Sequence, residues 1–262
     1  KRNTASGFYA LGNNTTGCLN TASGYYALKN ITTANNNTAF GACSLMSNTT
    51  GAMNTAVGIS SLKVLTTGRE NVAVGGNALC STTTGIKNVG VGNYALAKQT
   101  TGCLNTASGY LAAYCTTSGC YNTAMGSFSL HSNTTGLANT AIGFRALCSN
   151  TTASRNTAVG EVALCSNTTG TESVALGRMA LNKSTTGSFN TGLGHEALYH
   201  NTSGCWNTAI GHSTHCCNTT GCYNTSVGIM ALRKSTTASN NTAVGACALF
   251  ANETGADNVA VG

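Results

Sequence analysis

Apolar and polar positions along this chain follow one phrase that returns every 17 residues. Counted from the Asn of "NTA", the phrase starts at Asn3, Asn20, Asn37 and so on to Asn258, with Ser173 the one substitute and no insertion or deletion. The unit reads N-T-A-V-G-x-x-A-L-x-x-N-T-T-G-x-x, and fifteen full units run from Asn3 to Asp257. Position 5 is Gly in all sixteen occurrences; position 9 is Leu except at Ala113 and His215; position 13 is Thr except at Glu253. Such regularity is architecture, and it predicts a single repeat domain over residues 1–262 without a linker.

A unit of 17 residues is too short for a helical pair, which needs about 33 residues or more. Thr, Gly and Asn are weak helix formers, and two glycines per unit interrupt any helical run. Short strands divided by Gly and Asn turns fit the pattern. The predicted fold is therefore all-β, a parallel β-solenoid or β-roll with one unit per rung, stacked about 4.8 Å apart into a rod roughly 70 Å long. Turns are expected at positions 6–7, 10–12 and 15–17, with short parallel strands between them. The absence of proline agrees, since neighbouring rungs compete for every backbone N–H.

Alternation within positions 1–5 puts positions 2 and 4 on the face opposite position 3. Position 3 is Ala apart from Gly90, Gly192 and Ser226, which suits a cramped interior. Position 4 is mostly aliphatic and includes Val57, Val74, Val91, Ile142, Val159, Leu176, Leu193, Ile210 and Val227. Position 2 is Thr or Val. A stripe of this kind marks an interaction surface if it faces outward. Either the rung turns that face inward, or copies of the chain pack on it as a homotrimer or filament.

The phrase "NTAVGACAL" at 241–249, and still more "SVALGRMAL" at 173–181, resembles the head repeats of YadA-like trimeric autotransporter adhesins. The longer unit with "NTTG" is similar to repeat regions of phage and large-virus tail-fibre proteins. The adhesin resemblance implies a left-handed parallel β-roll, assembled as a homotrimer, displayed on a cell surface and used for adhesion. The tail-fibre resemblance implies a place on a virion.

Charge changes the picture little. The chain carries 13 Lys and Arg against 6 Asp and Glu, only 7% of its residues. All but Glu253 fall at positions 6, 7, 10, 11, 16 or 17, as do all aromatics except Phe40, so these are the solvent-facing corners. The basic residues are scattered over three corners and form no stripe for a phosphate backbone, so no nucleic-acid role is expected. No run of 18 apolar residues and no signal peptide appear, so no membrane insertion is expected of this segment. The ends fall in mid-unit without polar caps, and the chain is expected to be a segment of a longer protein.

Cysteine adds more. All 13 cysteines lie at corner positions, and three pairs share a position on successive rungs: Cys103 with Cys120, Cys148 with Cys165, and Cys205 with Cys222. Residues stacked at strand spacing are within disulfide reach, and exposed cysteines in this number suggest an oxidising, extracellular setting. Asn14, Asn48, Asn133, Asn150, Asn167, Asn201 and Asn218 head N-glycosylation triplets, although Asn there also suits a turn cap.

No catalytic residue, cofactor or metal site is assigned. His195 and His212 stack at position 6, with His200 and Cys217 sharing position 11, but opposite corners do not converge on a metal. The expected role is a structural extracellular fibre, stalk or adhesin segment that projects a binding end. Corner aromatics such as Tyr25, Tyr26, Trp206 and Tyr223 add weak contacts to surface glycans or a receptor. The alternatives are an ice-binding Thr-rich solenoid and a glycan-processing tail spike, which lacks a paired-carboxylate groove.

Overall fold

The computed structural model describes residues 2–262. The chain groups into two compact units, residues 1–135 and 136–262, and the boundary falls inside one 17-residue repeat. The first unit carries β1 (Thr4–Ser6), β2 (Thr21–Ser23), β3 (Thr38–Phe40), β4 (Thr55–Val57), β5 (Val72–Val74), β6 (Val89–Val91), β7 (Thr106–Ser108) and β8 (Thr123–Met125). The second carries β9 (Thr140–Ile142), β10 (Thr157–Val159), β11 (Val174–Leu176), β12 (Thr191–Leu193), β13 (Thr208–Ile210), β14 (Thr225–Val227), β15 (Thr242–Val244) and β16 (Val259–Val261). Within each unit successive strands pair in parallel with residue i beside residue i+17, as in Thr55↔Val72 and Val159↔Leu176. The fold is the all-β parallel solenoid that the period predicts.

Each rung holds one strand of three residues rather than several. The rest is continuous turn, yet it is bonded from rung to rung. Leu28 N–H donates to Ser44 O at 3.0 Å, Thr32 N–H to Thr49 O at 3.1 Å, and Asn36 N–H back to Cys18 O at 3.2 Å. The backbone thus satisfies its donors between rungs even where no strand is formed. The turn bends sharply because positions 7, 9 and 17 adopt left-handed backbone: Tyr26, Leu28 and Asn36 have φ of 59°, 49° and 60°. Non-glycine residues visit this region at a cost, and ladder bonds on both sides hold them there.

Position 5 is more demanding. Gly58 has φ of 125°, and a Cβ built there would lie 2.6 Å from the carbonyl oxygen of Gly75 on the next rung. Only glycine suits both the angle and the approach.

The interior is thin and half polar. Ala at positions 3 and 8 and Leu at position 9 are buried throughout the middle rungs, as are the Asn of position 1 and whichever residue holds position 12. The position-1 amides form a ladder. Asn71 Nδ2 donates to Asn54 Oδ1 at 3.1 Å and to Gly85 O at 2.8 Å, and its own Oδ1 accepts from Asn88 N–H at 3.0 Å. Each amide answers its neighbours, so a polar column can sit in a dry core.

Candidate functional site

With Ala of position 3 pointing inward, position 4 points outward, and the inward alternative for the stripe is closed. Val57 and Ile142 are each 37% exposed and Leu176 50%; Val74, Val91 and Ile210 are exposed likewise, and Val159, Leu193 and Val227 are half-buried. Parallel register sets each of these side chains over its copy, 17 residues on, as in Val57↔Val74, Leu176↔Leu193 and Ile210↔Val227. The second unit is the purer surface: Ile142, Val159, Leu176, Leu193, Ile210, Val227, Val244 and Val261 are all aliphatic. In the first unit Ser6, Ser23, Phe40, Ser108 and Met125 interrupt the stripe. Its uncharged neighbours at position 2 share the face.

The threonines behave differently. At position 13 the hydroxyl is spent on the next rung: Thr49 Oγ1 donates to Thr66 O at 3.2 Å, and Thr66 Oγ1 to Thr83 O at 3.1 Å. Position 14 is left as the exposed rank.

All 13 cysteines are free thiols in the structure. Cys103 Sγ lies 2.7 Å from Cys120 Sγ, so the first pair meets directly. Its shared hydrogen bond, with burial, pushes the Cys103 thiol up to about 11. Cys148 and Cys165 are set on neighbouring rungs by Ser149 N–H, which donates to Cys165 O at 3.0 Å, and Arg145 lies three residues before Cys148. The neighbouring Cys165 thiol and then the Arg145 cation outweigh burial and bring Cys148 down to about 6, while Cys165 is pushed up. The third pair is arranged otherwise: Cys205 N–H donates to Cys222 Sγ at 3.0 Å, and the thiols turn to Ser203 O and Thr220 O.

The asparagines of the glycosylation triplets sit indoors. Asn48, Asn133, Asn150, Asn167, Asn201 and Asn218 are all fully buried, and only Asn14, on the first rung, is partly open. Asn48 Nδ2 donates to Gly51 O at 2.8 Å and Asn167 Nδ2 to Gly170 O at 2.9 Å, closing the turn from within. A glycan on such a nitrogen has no room in the folded rung.

Corner rings stack up the coil. Phe189 lies on Trp206 with centroids 4.1 Å apart, and Trp206 on Tyr223 at 6.4 Å, with planes within 8°. Ring faces are therefore turned to one another and ring edges to solvent. Tyr25 and Tyr26 contact each other at 4.0 Å within a cluster that includes Phe8 and Tyr9.

His195 and His212 stack at 5.2 Å, and Arg178 Nη1 lies 3.1 Å from His195 Nε2. That cation lies against one ring nitrogen of His195, while Nδ1 has no hydrogen-bond partner. Among the described residues no group of three or more His, Cys, Asp or Glu is placed to hold a metal ion. Arg178 also pairs with Glu161 at 3.1 Å, and Arg155 with Glu172 at 3.2 Å; both pairs are exposed and add little stability.

His215, which takes the place of Leu at position 9, is one residue the sequence pattern flags without explaining. It is fully buried, neither ring nitrogen has a hydrogen-bond partner, and burial pushes it down to about 4. Among the described residues no helix is long and apolar enough to cross a membrane. No protein-family model matches the chain, and no curated protein matches it either.

Proposed function

We propose that this chain is a self-associating structural segment of an extracellular fibre or stalk, carried on a cell or virion surface, that holds a binding end away from that surface. The observation that carries this reading is the aliphatic stripe at position 4. It faces outward on a coil whose Ala and Leu interior is already closed. Burying each such side chain is worth about 1.5–3 kcal/mol, so a stripe repeated on every rung is a strong drive to associate. In-register packing of like chains meets each rung with its own copies, and the likeness to YadA-like repeats favours three chains. The adhesin and tail-fibre readings both belong to this proposal, and the chain is given no catalytic role in it.

The corner residues then face outward from the assembly and offer secondary contacts. Because the stacked rings of Phe189, Trp206 and Tyr223 present edges, their grip on a surface glycan or receptor is weak. Light scattering of the purified chain tests the proposal, with electron microscopy of the native particle alongside. The expected result is a trimer or a filament built from trimers. A monomer at every concentration measured would end this reading.

A further inference from the structure

We propose that Cys103 and Cys120 form a thiol–disulfide exchange site that closes into a rung-to-rung staple, with Cys120 as the attacking sulfur and Cys103 as the resolving one. Placement comes first. Strands β7 and β8 pair with Thr106 beside Thr123, three residues after the two cysteines, which sets their rungs in register. Thr100 N–H donates to Thr117 O at 2.9 Å before them, and Tyr121 N–H donates to Cys103 O at 3.1 Å just after. The turn limb that carries both residues is thereby tied on either side of the pair. Its rungs stand at strand spacing, within the Cα separation a disulfide spans. The sulfurs already meet at 2.7 Å. Both side chains are only half-buried, so an oxidant can reach them.

The contact has a direction. Cys103 N–H donates to Cys120 Sγ at 3.1 Å, and the Cys103 thiol donates to the same sulfur. Two donors on one sulfur favour its charged form. The hydrogen of Cys120 itself points to Ser118 O at 3.6 Å, a long and exposed contact that is readily given up. Charge therefore settles on Cys120, and the proton shared by the pair stays on Cys103. Cys205 and Cys222 mark the contrast. There too a backbone N–H reaches the second sulfur, at 3.0 Å, but the Cys205 thiol turns to Ser203 O at 3.3 Å and gives Cys222 no second donor. The two pairs share their spacing and differ in the sulfur contact.

The partner is a small-molecule disulfide, RS–SR. Cys120 gives its proton to water, and the thiolate attacks one sulfur of RS–SR. The S–S bond of the oxidant breaks, and RS⁻ leaves and takes a proton from water. Cys103 then loses its proton to solvent and attacks the Cys120 sulfur of the mixed disulfide. The bond from Cys120 to SR breaks, and the second RS⁻ leaves and is protonated. The two cysteines are oxidised to one disulfide, and RS–SR is reduced to two thiols. The product ties one rung to the next.

The test uses the whole chain, fully reduced at pH 7, treated with oxidised glutathione, quenched in acid and mapped by fragmentation mass spectrometry. Cys120 is expected to take up glutathione about tenfold faster than Cys247, an exposed cysteine read in the same digest. That adduct should give way to a Cys103–Cys120 crosslink well ahead of any crosslink between Cys205 and Cys222. Cys103→Ser keeps a hydroxyl donor against Cys120 but removes the resolving sulfur, so the adduct should form at the parent rate and stay trapped on Cys120. Serine already stands at the same position of the unit in Ser154, Ser188 and Ser239, so the coil accepts this change. The proposal fails if Cys120 reacts no faster than Cys247, if Cys205 and Cys222 crosslink as fast as Cys103 and Cys120, or if Cys103→Ser retains no adduct on Cys120.

Discussion

Two residues set opposite limits on a rung. Gly58 holds an angle that L side chains rarely adopt, with a carbonyl of the next rung where a Cβ would go. Gly58→Ala is therefore expected to destabilise the fold by roughly 2–3 kcal/mol, read by chemical denaturation. His215 is a tolerated misfit: a neutral imidazole buried among Leu positions, held down to about 4 against an ordinary 6.5. The unfolded chain takes up a proton on this group at higher pH than the folded one does. Stability from this group is thus complete above about pH 6.5 and falls away as pH drops toward 4, by about 3 kcal/mol in all. His215→Leu should remove that acid sensitivity and raise the melting temperature at pH 5; an unchanged pH profile would show that His215 does not titrate within the fold.

A rung is held by its ladders more than by its short strand. Asn71 bonds to Asn54 below and Gly85 above, and receives Asn88 in turn. Asn71→Ala leaves buried donors and acceptors on both neighbouring rungs unanswered, at a cost of about 2–3 kcal/mol. Asn71→Asp should be worse, since the carboxylate cannot donate to Gly85 O. Equilibrium unfolding of both variants orders them, and equal stability of either with the parent chain would deny the ladder its role. The same ladder logic explains the turn limb, where Leu28 accepts a left-handed angle because its N–H is fixed to Ser44 O.

On the scale of the whole molecule the position-4 stripe decides how chains meet. Ile142→Asp puts a charge into the proposed seam, where burial without a partner costs several kcal/mol. It should dissociate the assembly or stop it forming. Lys183→Asp, an exposed corner change, should leave the assembly intact. Sedimentation velocity distinguishes the two, and an assembled Ile142→Asp chain would exclude the stripe as the seam.

The sequence by itself determined the period, the parallel in-register stacking, the glycine at position 5 and the outward corners. Each of these follows from steric rules that act within a few residues and repeat unchanged. Tertiary structure decided what local pattern leaves open. The position-4 face points out because the Ala of positions 3 and 8 and the Leu of position 9 fill the space within. Asn48 and Asn167 look like surface acceptors in sequence, yet they turn inward because the carbonyls of Gly51 and Gly170 need donors where no water reaches. The three cysteine pairs look alike in spacing, yet Cys103 Sγ meets Cys120 Sγ at 2.7 Å, whereas Cys205 and Cys222 turn their thiols to Ser203 O and Thr220 O. Spacing fixes which residues stack, whereas burial and charge around them depend on the whole coil.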